Sequence, residues 1–206
     1  MTRIRGLGRR ERRTGGGTGS RRRLSPDARR TELLEAALAV LKELGPTRAR
    51  VEDVTGLAGA AKGTFYLYFS SWDNLLLAVR EHMASTYSAQ LRKRLAASQP
   101  LGWEAIENEC VRFVNYVVEL GELHRAVFHG PAMDHSASEG HPVDSVIVDV
   151  IAAGVASGAL RPVEPELAAP LLFAVLHSTV DSIIESQGQA EKLAAALDLL
   201  RNWLRA

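Results

Sequence analysis

The sequence predicts an all-α protein of about nine helices, an N-terminal three-helix unit with a helix-turn-helix joined by a long helix to a C-terminal helical domain. Three observations predict it. Apolar residues recur at three- and four-residue intervals from Leu33 to Leu204, no stretch has the strict alternation of a half-buried strand, and Gly or Pro punctuates the runs. The same punctuation divides the chain into a basic arm (1–24), a compact unit (25–80) and a longer helical region (81–206).

Order is expected to begin near Leu24, where Ser25 caps, Pro26 suits the first helical position and Asp27 complements the helix dipole. The first helix carries Leu33, Leu34, Ala37, Leu41 and Leu44 on one face and stops at Gly45 and Pro46. A short second helix is read over 51–58, with Glu52 and Asp53 in its first turn and Gly59 at its end; a third is read over 60–66. Ser70 and Asp73 have the capping-box spacing ahead of a long helix, 71–98, faced by Leu76, Val79, Met83, Tyr87, Leu91 and Leu95. At 1.5 Å per residue it is roughly 40 Å long, enough to join two domains.

Beyond Pro100 the rhythm stays helical. Trp103 to Leu120 aligns Ile106, Cys110, Phe113, Val114, Val117 and Val118, and a short helix over 123–129 follows the Gly121 break. Gly130 to Pro142, rich in Gly, Ser, Pro and Asp, reads as a flexible connection. Helices are then expected over 143–159, 166–186 and 190–204. The last two are apolar around more than one stripe, so they need burial on more than one side; pairing with their copies about a two-fold axis meets that need, and a homodimer through them is expected.

Composition excludes several classes. The 206 residues include 46% hydrophobic side chains, enough for a real core, and a single cysteine, Cys110, which permits neither an intrachain disulfide nor a tetrathiolate zinc site. The basic start lacks a signal-peptide core, and no uncharged apolar run is read as approaching the ~18 residues of a membrane span, so a cytoplasmic protein with no membrane partner is expected. The near-neutral net charge of +1 conceals a division: up to Arg30 there are eleven Arg and two acids, and the remainder is net acidic. A basic arm on an acidic body suits an end that meets a polyanion, because counterion release rewards clustered Arg, although a solvated tail has the same composition.

The informative segment is Arg50 to Asn74, RVEDVTGLAGAAKGTFYLYFSSWDN. Two short helices around a Gly-containing turn, at about 50–69, form a helix-turn-helix whose second helix fits a major groove about 12 Å wide. Lys62 supplies a mobile cation, Thr64 a hydroxyl and a methyl, and Tyr66 and Tyr68 phenols that reach phosphate oxygens. Phe65 and Phe69, four apart on the opposite side, are expected in the core. Gly63 is read as a place where the helix approaches another backbone closely, offsetting a propensity cost of ~1 kcal/mol.

These residues resemble the DNA-binding domain of the tetracycline-repressor (TetR) family of bacterial regulators over about fifty positions, Thr31 to Val79, and the block GTFYLYFSSWDNLL is similar to that family's most specific signature. The resemblance implies a homodimer that presents two second helices to successive major grooves of a palindromic double-stranded DNA operator, usually as a repressor, and an all-helical ligand-binding and dimerisation domain whose small-molecule effector shifts the long helix. It also implies DNA contacts at Arg50, Lys62, Gly63, Thr64, Tyr66, Tyr68, Ser71 and Trp72. The chain departs from the family pattern at Arg50 (usually Ser or Thr), at Ala60 and Ala61 (usually Val-Ser) and at Trp72 (usually Lys), which puts those individual contacts in question.

Polar and aromatic residues interrupt the C-terminal helices at Trp103, Cys110, Asn115, Tyr116, Phe128, His177 and Asp181, and these are the candidate effector-binding residues. His177 and Asp181, four apart, can orient a polar group of a ligand, or simply pair with each other. Cys110 on an apolar face reads as a packed small hydrophobe rather than a redox sensor. His124, His129, His135 and His141 with Asp134 are too loosely spaced for a structural zinc site, so no metal and no cofactor is expected. No phosphate loop, nucleophile elbow or metalloprotease motif occurs, and an enzyme is not expected. The alternatives are a helical adaptor binding nucleic acid non-specifically through its arm, and a metal-dependent enzyme built on the His-rich loop.

Overall fold

The computed structural model describes residues 25–98, 101–129, 142–186 and 188–206. Among them are nine helices: α1 Pro26–Leu44, α2 Val51–Leu57, α3 Lys62–Tyr68, α4 Trp72–Ala97, α5 Trp103–Leu120, α6 Glu122–Phe128, α7 Pro142–Ser157, α8 Pro165–Glu185 and α9 Gln189–Leu204. The described residues contain no strand, only one isolated bridge between Leu160 and Arg205. The all-α expectation holds. The basic arm and the connection after Gly130, with Asp134, His135 and His141, lie outside the described residues.

Local signals set most boundaries. The Ser25 hydroxyl accepts from the Ala28 N–H at 3.2 Å and opens α1. α3 starts two residues later than expected, because Gly59 (φ 59°) turns the chain and the Ala60 N–H donates to the Thr55 carbonyl at 2.9 Å, leaving Ala61 extended as the N-cap. Ser71, not Ser70, caps α4: its hydroxyl accepts from the Asn74 N–H at 3.0 Å. Gly121, at φ 51°, breaks α5 from α6 in a backbone region that residues with a Cβ rarely adopt.

Two apolar cores result. The first gathers Leu33, Ala37, Leu41, Val54, Phe65, Phe69, Leu75 and Val79 from α1 to α4, and is completed by Leu123 and Val127 of α6. The second lies among α4, α5, α7, α8 and α9, around Leu91, Ile106, Val114, Ile151, Leu176, Val180 and Leu200. α4, 26 residues and so about 39 Å long, contributes to both.

Between Glu166 and Asp181, α8 carries an uncharged stretch of 14 residues, short of the ~18 of a membrane span, although the whole helix, Pro165–Glu185, is long and apolar enough to cross a membrane once its charges are tolerated. Apolar residues fill so much of its circumference because one side packs on α5, α7 and α9 while Leu167 and Leu171 of the other side remain exposed.

Candidate functional site

The helix-turn-helix presents a built outer face. Phe65 and Phe69 are buried, 0% and 1% exposed, with ring centroids 5.5 Å apart, and they fix the inner side of α3. A seven-residue helix is too short to hold itself together in water, so this aromatic anchorage is what orders it. The opposite side then faces outward: Lys62, Gly63, Tyr66 and Leu67 are exposed, and Thr64 is half-buried at the edge.

The structure refines the roles of the sequence-derived residues. The Lys62 ammonium meets the Glu52 carboxylate of α2 at 2.5 Å. That contact holds the Glu52 carboxyl below its usual range and raises the Lys62 ammonium, while both side chains stay solvated. Arg50 is exposed, and its guanidinium donates to the carbonyls of Thr47 and Ala49 at 2.8 and 2.9 Å. Its own N–H is capped by the Asp53 carboxylate at 2.9 Å, so the second helix starts without a Ser or Thr. The Ser71 hydroxyl is engaged as the α4 cap but retains its proton for donation. Tyr68 and Trp72 are half-buried against the first core, so their rings serve packing as well as any outward contact.

Gly63 requires a correction. A Cβ built there would meet nothing within 4 Å, so no backbone of the described residues approaches it. The space in front of Gly63 opens to solvent, at the centre of the outward face.

Sequence reasoning missed Leu67 and Glu52. Leu67 is 81% exposed, an unusual position for a leucine on a helix anchored by buried aromatic rings. An apolar residue between Tyr66 and Tyr68 reads as core until the helix is oriented. Glu52 was legible only as a dipole-complementing acid, since its partner lies ten residues away.

A second candidate region lies inside the C-terminal core. A cavity of about 50 Å³ is walled by Tyr87 and Leu91 of α4, Cys110 and Phe113 of α5, Ile147 of α7 and Leu176 of α8. A smaller one, about 30 Å³, adjoins it across Tyr87, Phe113 and Phe173, and is lined also by Tyr116, Phe128, His124 and His177. Together they have room for only a few water molecules. The Tyr87 hydroxyl is buried and makes no hydrogen bond among the described residues; burial pushes its proton dissociation well above the ordinary phenol range. The Arg94 guanidinium sits 5.6 Å from the Tyr87 ring centre and binds Glu109 of α5 through both carboxylate oxygens, at 2.8 to 3.0 Å. That bidentate pair ties α4 to α5 beside the cavity.

Of the seven effector candidates, Cys110, Tyr116, Phe128 and His177 line these cavities. The other three do not. The Trp103 indole donates to Glu107 at 2.8 Å, and Asn115 accepts from Gln189 at 3.0 Å. Asp181 does not join His177 but turns to His124 and His129, at 3.4 and 3.2 Å; His177 packs in the aromatic group instead, 4.3 Å from the Phe173 ring centre. In the sequence Tyr87 and Phe113 are only members of apolar faces, because periodicity does not distinguish a side chain against a neighbour from one against a void.

Residues 33–79, which contain the helix-turn-helix, match the family model described as bacterial regulatory proteins, tetR family. The chain is similar to the HTH-type transcriptional repressor NicS of Pseudomonas putida, 30% identical over 66% of this chain and 67% of that protein. It is 31% identical to the HTH-type regulator YvdT of Bacillus subtilis over 51% of this chain, a match that spans about half (54%) of YvdT. The fold is that of a TetR-family regulator from Pectobacterium atrosepticum, with a TM-score of 0.69 at 21% identity over 87% of this chain and 95% of that one. An anchored helix-turn-helix with an outward second helix, on a helical body of this layout and with these relatives, identifies the chain as a member of the tetR family of bacterial regulatory proteins, a DNA-binding transcriptional regulator.

Proposed function

We propose that the protein is a cytoplasmic repressor that binds a palindromic operator as a homodimer and is released by a small, mostly apolar effector. The observation that carries the reading is the outward face of α3, where Lys62, Thr64, Tyr66 and Leu67 surround the open space before Gly63 while Phe65 and Phe69 hold the helix from behind. A Lys or Tyr there meets phosphates, Thr64 and Leu67 offer methyl groups to thymine, and Gly63 lets the helix backbone come close to the groove. Arg50 and the donor proton of Ser71 flank that face and add phosphate contacts.

The dimer would form through α8 and α9. Leu167, Leu171 and Leu199 are 69%, 56% and 56% exposed on these helices, and Val175, Ala196 and Trp203 line the groove between them. A second copy burying the same face accounts for this exposed apolar surface without a membrane. Two α3 helices must then stand one helical turn of DNA apart, about 34 to 36 Å.

The effector would enter the paired cavities. They are far too small for a drug-sized molecule as they stand, so occupancy must displace α4, α5 or α8, and the form that admits the effector differs from the form that does not. Their walls favour an apolar molecule with one hydrogen-bonding group for the Tyr87 hydroxyl. Competition gel shifts on DNA flanking the gene test the reading. A repressor keeps its preference over random DNA at physiological salt, whereas an adaptor using only its basic arm loses affinity for both alike as salt rises.

A further inference from the structure

Three ligating atoms converge where the C-terminal end of α6 meets α8. His124 Nε2 of α6 and the Nε2 of His129, the residue that caps α6 at its C-terminal end, lie 3.3 Å apart, and Asp181 Oδ1 of α8 lies 3.4 Å from the first and 3.2 Å from the second. They form a nearly equilateral triangle. Hydrogen bonding serves such a triangle poorly, since each atom sees its two neighbours about 60° apart and two N–H groups aimed at the one carboxylate oxygen also face each other. A cation above its centre satisfies all three lone pairs at once.

The dimensions select the ion. Tetrahedral zinc with bonds of about 2.0 to 2.1 Å separates its ligand atoms by about 3.3 to 3.4 Å, which matches the three edges here. Two imidazoles and one carboxylate form a donor set that suits such an ion. We propose that His124, His129 and Asp181 bind a divalent transition-metal ion of the zinc type, with the fourth position open to solvent. His124 is fully buried and packs beside Phe128, ring centres 5.0 Å apart, which supplies a rigid, dry wall. The side chains of His129 and Asp181 are 40% and 36% exposed, which provides the entry path. Residue spacing could not announce the site, because Asp181 lies more than fifty positions after His129 in the chain.

The ion would clamp α6, whose Leu123 and Val127 belong to the first core, to α8 in the second. The test uses the untagged full-length chain, freed of metal with a chelator and titrated with Co²⁺, then with Zn²⁺ as competitor. One Co²⁺ per chain with the intense visible bands of a tetrahedral site, displaced by Zn²⁺, is the expected result. Losing a supporting contact to a metal ligand already costs 10–100-fold in affinity, so His129→Ala and Asp181→Asn should each weaken binding by about 100-fold or more. Both sit at the rim, and circular dichroism verifies that they fold. Absence of stoichiometric binding, the weak bands of six-coordinate cobalt, or wild-type affinity in the His129→Ala/Asp181→Asn double variant would each overturn the assignment.

Discussion

The Lys62 ammonium and the Glu52 carboxylate, one on each helix of the helix-turn-helix, form an ion pair at the rim of the outward face. The lysine expected to meet DNA is therefore already engaged. Binding must exchange a carboxylate for a phosphate or a base edge, and Glu52 sets a threshold for that exchange. Glu52→Gln should raise operator affinity several-fold, and Lys62→Ala should lower it about tenfold, within the range for one direct contact. Fluorescence anisotropy with operator DNA reads both. Because the pair is more than half exposed, neither change should alter the melting temperature appreciably.

Gly63 separates stability from recognition. Its Cβ position is empty and it occupies the first turn of α3, so Gly63→Ala should stabilise the fold by up to about 1 kcal/mol through helix propensity. The same methyl would stand between the helix backbone and the groove. Urea melts and gel shifts on one preparation should move in opposite directions, a better-folded protein that binds operator more weakly; equal or tighter binding would show that no DNA backbone comes close there.

Leu171 tests the proposed assembly. A carboxylate at this exposed apolar position would be desolvated against its copy without a partner, which costs several kcal/mol. Leu171→Glu should sediment as a folded monomer at concentrations where the parent chain is a dimer, and should lose operator affinity along with its second reading head. Unchanged sedimentation would move the interface away from α8.

Cys110 is 5% exposed, and burial pushes its thiol from an ordinary value near 9 up to about 12. The folded chain therefore retains this proton where the unfolded chain has lost it. Below pH 9 both states are protonated and the thiol adds no pH dependence; as pH rises from 9 towards 12, stability falls. At neutral pH a disulfide reagent should leave Cys110 unmodified in the native protein and label it fully in denaturant. Rapid labelling of the native state would reopen a redox role.

How much of this was legible in the sequence depended on the range of the interaction. The Ser25 cap, the Gly121 break and both limits of α5, Trp103 and Leu120, follow from short patterns. So did Phe65 and Phe69 as the buried side of α3, since an i, i+4 aromatic pair on a short helix has one use for that side. The start of α3 did not, because the hydrogen bond from Ala60 to Thr55 competes with helix formation through geometry rather than residue type. The company kept by Asp181 did not either. His177 is its neighbour on a helical wheel, but the approach of α6 decides which histidine it meets, and that contact crosses more than fifty residues of chain.

Leu123 and Val127 have a final consequence. They close a core whose other members run from Leu33 to Met83, so the reading head is not a detachable module. A chimaera that grafts the first eighty residues onto another scaffold would carry a hydrophobic seam with no lid, and should aggregate unless α6 travels with it. Nature's recombination of such proteins faces the same bookkeeping: the segment that must be co-inherited begins more than fifty residues after the end of the outward-facing α3.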